Sequence, residues 1–106
     1  MSAPDISCII VNYNGGLLLK QCVSSLYRII TQSSVSVPLW RDRSAFSGEV
    51  IIVDNASTDG SISSVKAEFS NAIIIENSKN IGYGAAINCG LAAASGEFCA
   101  VMNSDV

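Results

Sequence analysis

The chain has 106 residues, 49% of them hydrophobic and only 14% charged, with a net charge of −3. That length allows a single domain with a core of its own. The acidic balance speaks against a nucleic-acid partner, which would call for a basic face. So little charge leaves apolar surface in need of cover. No window reaches the apolar length of a membrane span and no signal peptide is visible, so the expected location is cytoplasmic, with membrane association left open for a longer protein. Histidine is absent and the four cysteines form no C-x-x-C pair. These two facts speak against a structural zinc site and against Ser-His or Cys-His chemistry.

Ile6 to Val11 is an almost unbroken apolar run, as expected of a strand covered on both faces in a parallel sheet. Asn12-Tyr13-Asn14-Gly15-Gly16 breaks it. Leu19, Cys22, Val23, Leu26 and Ile30 then recur at helical spacing. Thr31 to Gly48 is serine-rich, contains Pro38 and Trp40, and is longer than an ordinary helix-to-strand link. Glu49 to Asp54 is a second buried strand. Asp59 is placed to cap a helix with the stripe Ile62, Val65 and Phe69. Ala72 to Glu76 is a third strand, and Asn77 to Gly82 a polar loop. Tyr83 to Ser95 is an alanine-rich helix that Gly96 is expected to close. Phe98 to Met102 reads as a fourth buried strand, with Cys8 and Cys99 as small apolar strand residues.

The order β-α-β-α-β-α-β, with right-handed crossovers, predicts a Rossmann-like α/β fold: a parallel sheet in three α/β/α layers. The predicted strand order is 3-2-1-4. The fourth strand then lies beside the first and opens a crevice at their carboxyl ends. If the fourth strand is left as an open edge, that edge is a place for self-association into a homo-oligomer.

Three strand ends carry the chemistry. The first turn lacks the G-x-G-x-x-G dinucleotide fingerprint, and no Gly-Lys-Ser/Thr phosphate loop occurs. Asp54-Asn55 offers oxygens that accept the N3–H of uracil or thymine, with Tyr13 near the base, and it equally suits a plain turn. Asn103-Ser104-Asp105 is an N-x-D element. A divalent cation on a diphosphate needs only one or two carboxylates besides phosphate and water, and the same three residues also suit an Asx turn.

Taken together, Ile9 to Asn14, Ile51 to Gly60, Glu76 to Tyr83, Ala86 to Gly90 and Gly96 to Asp105 resemble, in order, the amino-terminal half of a family 2 glycosyltransferase. The fold of that family is GT-A, and the likeness is nearest to its rhamnosyltransferase-like members. It covers most of residues 6 to 106. The resemblance implies inverting transfer of a sugar from a UDP- or dTDP-linked donor to a saccharide or lipid-linked acceptor. It implies donor-base contacts from Tyr13 and Asn55 with Asp54 beside them, and a loop over the donor from Lys79, Asn80 and Gly82. A divalent cation, Mg²⁺ or Mn²⁺, would be held by Asp105 with Asn103. Asn103 stands where the family's D-x-D motif has its first Asp, which weakens metal binding. The segment 31–48 is a long insertion by the family's pattern. The resemblance places the general base and acceptor site beyond residue 106, so residues 1–106 are expected to be the donor-binding half, inactive in transfer alone. The alternative reading is a Rossmann-like nucleotide-binding or assembly module without transferase activity.

Overall fold

The computed structural model describes residues 4–31 and 47–104. Residues 32–46 of the insertion, with Trp40, and Asp105 lie outside the described residues. In chain order the elements are β1 (Ile6–Asn12), α1 (Leu17–Thr31), β2 (Gly48–Asp54), α2 (Ser61–Glu68), β3 (Ile73–Glu76), α3 (Tyr83–Ala93) and β4 (Phe98–Asn103). The four strands form one sheet in the order β3-β2-β1-β4, every neighbouring pair parallel. Both the predicted element order and the predicted strand order are therefore found.

Two cores explain why the middles of β1 and β2, Cys8 to Val11 and Val50 to Val53, are apolar without alternation. Successive side chains point to opposite faces of a strand. On one face Ile10, Val50 and Ile52 pack with Leu19 and Val23 of α1 and with Ile62 and Val65 of α2. On the other, Ile9, Val11, Ile51 and Val53 meet Ala86 of α3. The result, among the described residues, is three layers, with α3 over β1 and β2 on the face opposite α1 and α2. Its approach is close because Ala86 and Gly90 present almost no side chain there.

Two expectations need correction. β4 is not a buried strand: Phe98 is 66% exposed, Val101 is 39% exposed, and Cys99 is exposed too. Its run is as apolar as that of β1, but it lies at the sheet edge, beyond the cover of α3. Gly96 does not close α3 either. That helix ends at Ala93, with Ala94 already extended. Gly96 instead lies against β1, where a Cβ would fall 2.6 Å from Ser7 Oγ and 2.7 Å from the Ser7 amide nitrogen.

At the amino ends of the strands, a carboxylate gathers this turn. Ser7 Oγ donates to Glu49 Oε2 at 2.6 Å, and Ser95 donates to the same oxygen through its amide (2.9 Å) and its hydroxyl (3.0 Å). The Gly96 amide donates to Ser7 Oγ at 2.8 Å. Desolvation raises the Glu49 pKa, but these hydrogen bonds outweigh it and leave it below the usual carboxylate value. A folded-state pKa below the unfolded one gives stability that is complete above the unfolded value and lost as pH falls through the folded value. The melting temperature of the chain should therefore exceed that of Glu49→Gln at neutral pH. Thermal melts should show the gap narrowing once the pH falls below about 4.3, the ordinary Glu value, and closing only at more acid pH. A gap that does not change with pH would remove Glu49 from the acid transition.

Candidate functional site

The crevice opens where β1 and β4 part, at the carboxyl ends of the strands, the place where open α/β sheets take ligands. It is a cleft of about 550 Å³. Tyr13 comes from the β1–α1 turn, Asn55 from the β2–α2 turn, Asn80 and Gly82 from the loop before α3, Tyr83 from the first turn of α3, and Asn103 from the end of β4.

Hydrogen bonds make one unit of the first two turns. Asn12, directly opposite Asp54 in the parallel register, turns the two N–H groups of Nδ2 to three acceptors, one of them shared: Asp54 Oδ1 at 2.9 Å, Ser61 Oγ at 3.0 Å and Ser57 Oγ at 3.2 Å. Ser57 donates to Asp54 through its hydroxyl (2.6 Å, to Oδ1) and its amide (2.9 Å, to Oδ2). Across the gap, the Asn14 amide donates to Ser57 Oγ at 2.8 Å and the Thr58 amide to Asn14 Oδ1 at 2.8 Å. The Gly16 amide donates to Asp59 Oδ2 at 2.9 Å. Asp59 does not cap α2 from the N-cap position, which Gly60 occupies in a left-handed conformation. Its Oδ1 still accepts the Ser61 hydroxyl at 2.7 Å and the Ser61 amide at 3.0 Å, and these bonds lower its pKa.

The residues singled out from sequence separate into three groups. Tyr13 and Asn55 do face one cleft. Tyr13 is 55% exposed, a ring left open to solvent, whereas Asn55 is only 2% exposed. The Asn55 amide is held from both ends: Nδ2 donates to the Gly82 carbonyl at 3.3 Å, and Oδ1 accepts from Asn77 Nδ2 at 3.0 Å. Because a backbone carbonyl can only accept, the orientation of the amide is determined, and Oδ1 keeps one lone pair. Asn80 and Gly82 also line the cleft; Asn80 Oδ1 accepts the Gly82 amide at 2.9 Å and holds that glycine at φ 87°.

Asp54 and Lys79 are placed differently. The Asp54 carboxylate is 3% exposed and committed to Asn12 and Ser57, and it does not line the cleft. Lys79 is exposed on the loop just outside the lining. Asn103 is exposed at the cleft mouth. Tyr83, 44% exposed, and the network residue Asn12 were not picked out as functional from sequence. A signal existed for Asn12, since a polar residue ends an otherwise apolar central strand.

Among the described residues no three His, Cys, Asp or Glu side chains gather to hold a metal ion. The donor present at the cleft end of β4 is the Asn103 amide oxygen, a hard ligand. It fits Mg²⁺ or Mn²⁺ only as a minor part of a shell completed by ligand oxygens and water.

A parallel α/β domain with a tyrosine-flanked cleft at its switch point is of the architecture that takes ligands at the carboxyl ends of its strands. The family model for glycosyl transferase family 2 matches residues 7–106, and the chain belongs to that family. It is 31% identical over 107 residues to EpsH of Bacillus subtilis (strain 168), covering 99% of this chain and 27% of that protein. Among solved structures it resembles a mannosyltransferase of Pyrobaculum calidifontis, PcManGT, in complex with GDP-Man and Mn²⁺. The TM-score is 0.71 and the identity 27%, over 99% of this chain and 28% of that one. It likewise resembles TarS 1–349 of S. aureus in complex with UDP-GlcNAc, with a TM-score of 0.71 and 26% identity over 95% of this chain and 26% of that one. The fold is that of GT-A glycosyltransferases, and the chain spans about a quarter of the length of these relatives.

Proposed function

We propose that this chain supplies the donor-nucleotide side of an inverting glycosyltransferase, taking a UDP- or dTDP-linked sugar for transfer to a saccharide or lipid-linked acceptor. The observation that carries the reading is the meeting of Tyr13 and Asn55 in the cleft at the β1–β4 switch point. The remaining lone pair of Asn55 Oδ1 accepts the N3–H of uracil or thymine, a donor that adenine lacks. Tyr13 gives the base an aromatic surface. The loop Lys79-Asn80-Gly82 lies over the donor. Asn103, with Asp105, serves a Mg²⁺ or Mn²⁺ ion whose charge offsets that of the diphosphate. Asp54 acts behind the base site rather than on the ligand. Relatives that bind GDP-Man with Mn²⁺ and UDP-GlcNAc support a nucleotide-sugar donor and a divalent cation.

A cytoplasmic setting is part of this proposal, and the four free cysteines agree with a reducing compartment. Among the described residues no helix is long and apolar enough to cross a membrane. Self-association through the open edge of β4 belongs to the same proposal, and a monodisperse monomer by light scattering at high concentration would end it.

The test is a chemical-shift titration of the chain with UDP, dTDP and ADP, each with and without Mg²⁺. UDP and dTDP should bind at roughly millimolar, about −4 kcal/mol. ADP should bind more weakly, and removing Mg²⁺ should weaken the two pyrimidine nucleotides. Asn55→Leu should erase the pyrimidine preference. Equal shifts for ADP and UDP would sink the reading.

A further inference from the structure

Asn12 is wholly buried, and no atom of it lines the cleft. An apolar residue could end β1 as Val53 nearly ends β2, and a buried amide is costly unless it is well partnered. Its Oδ1 has no hydrogen-bond partner among the described residues, and Gly15 packs on it so closely that a Cβ there would lie 2.3 Å away. The Nδ2 group, by contrast, faces Asp54, Ser57 and Ser61 on the neighbouring turn. The carboxylate determines which way the amide points, since the flipped amide would set oxygen against oxygen. Asn12 is therefore a tie between two turns that tolerates an orphaned oxygen.

The backbone shows what is tied. Tyr13 is followed by Asn14 at φ 50°, and Asn55 is followed by Ala56 at φ 66°. Left-handed backbone is disfavoured once a Cβ is present, most of all for a residue such as alanine that has no polar group to offset it. Such positions persist where their surroundings over-determine them, and they gather at ligand clamps. Both are braced by Ser57: its Oγ accepts the Asn14 amide, and its own amide, next after Ala56, donates to Asp54. Each cleft residue is thus flanked on one side by a bond of the network and on the other by a strained backbone angle that the network maintains.

We propose that Asn12 and Ser57 form a lock that preorganises the nucleobase site, holding Tyr13 and Asn55 at one relative placement although neither lock residue touches the ligand. The inference rests on the reading of the cleft as a nucleobase site. Asn12 and Ser57 are positioning residues: opening the lock lets the Tyr13 turn drift from the Asn55 turn, and the ligand then meets one contact at a time.

A double-mutant cycle separates positioning from general destabilisation, because a residue that acts through Tyr13 has nothing to act through once the ring is gone. UDP with Mg²⁺ is titrated into the 106-residue chain, Ser57→Ala, Tyr13→Ala and the double variant, with thermal melts of each. Ser57→Ala should weaken UDP about 5-fold, the scale of one or two lost hydrogen bonds. In the Tyr13→Ala background the same change should weaken it by less than about 2-fold, the limit of additivity for independent sites. Ser57→Thr, which keeps the hydroxyl, should restore wild-type affinity. If Ser57→Ala does not fold, Ser57→Cys carries the cycle, since a thiol fills the site but accepts an amide poorly. Additive losses, or a Ser57→Thr chain as weak as Ser57→Ala, overturn the lock alone. A wild-type chain without pyrimidine-selective shifts overturns the nucleobase reading, and the lock with it.

Discussion

Gly90→Val is expected to remove most of the cooperative thermal transition of the chain. Gly90 is a buried residue of α3, and a Cβ there would fall 2.4 Å from Ile9 Cγ2 and 3.3 Å from Val53 Cγ2. Ile9 and Val53 are wholly buried in the two central strands, so neither can yield and α3 has to lift from the sheet. Overpacking by a methyl costs about 1–3 kcal/mol, and valine adds two more carbons to the same gap. Against a stability of about 5–15 kcal/mol for a domain of this kind, that is a large fraction. Each kcal/mol lowers the melting temperature by roughly 4–8 °C at this size. Gly90→Ala should lose less, because alanine returns up to about 1 kcal/mol of helix propensity. The control lies in the same helix. At Gly84 nothing stands within 4 Å of a Cβ, so Gly84→Ala should raise the melting temperature. Circular-dichroism melts of the three variants check it, and a Gly90→Val chain that melts like the parent would show that α3 does not sit where the sheet needs it.

The same helix shows what sequence could and could not reveal. The apolar runs of β1 and β2 and the helical stripe of α1 are local patterns, and burial on both faces follows from them directly. Strand order was legible too, because alternating strands and helices with right-handed crossovers leave few arrangements. The exposure of β4 was not. Phe98 to Met102 is as apolar as Ile6 to Val11, and only the position of a strand in the sheet tells which of two such runs is covered. Gly96 misled for a related reason: a glycine after a helix suits a cap, but here the need for it comes from Ser7, 89 residues away in the chain. In the site, the residue types were readable and their division of labour was not. Asp54 and Asn55 are adjacent, polar and equally apt for a base, and the register that sets Asp54 against Asn12 decides which one faces inward.

Asp54→Asn, a change of one atom, should destabilise the fold strongly, whereas Asn55→Leu should act chiefly on binding. The Asp54 carboxylate accepts on both oxygens: Oδ1 takes the Asn12 amide and the Ser57 hydroxyl, and Oδ2 takes the Ser57 amide. An asparagine offers one oxygen and one NH₂ in those places. If its NH₂ replaces Oδ2, it faces the Ser57 N–H, donor against donor. If it replaces Oδ1, the Ser57 hydroxyl can turn to accept, but the Asn12 amide either meets it donor to donor or flips and moves its NH₂ under Gly15, where its oxygen has no partner among the described residues. Either way at least one buried donor loses its acceptor, at a cost of about 1–3 kcal/mol, and the surviving bonds lose the strengthening a charged acceptor brings. The expected fall in melting temperature is about 10–15 °C for a cost near 2 kcal/mol. UDP affinity should fall with it, because the two turns that carry Tyr13 and Asn55 separate. Asn55→Leu also gives up its bonds to Gly82 and Asn77, but both partners are neutral and open to water, Gly82 being exposed and Asn77 half-buried. Its melting temperature should drop by less than half as much, while its preference for UDP over ADP vanishes. Melts and UDP titrations of both variants decide the matter: if Asp54→Asn keeps its melting temperature and loses UDP, Asp54 acts on the ligand itself rather than behind it.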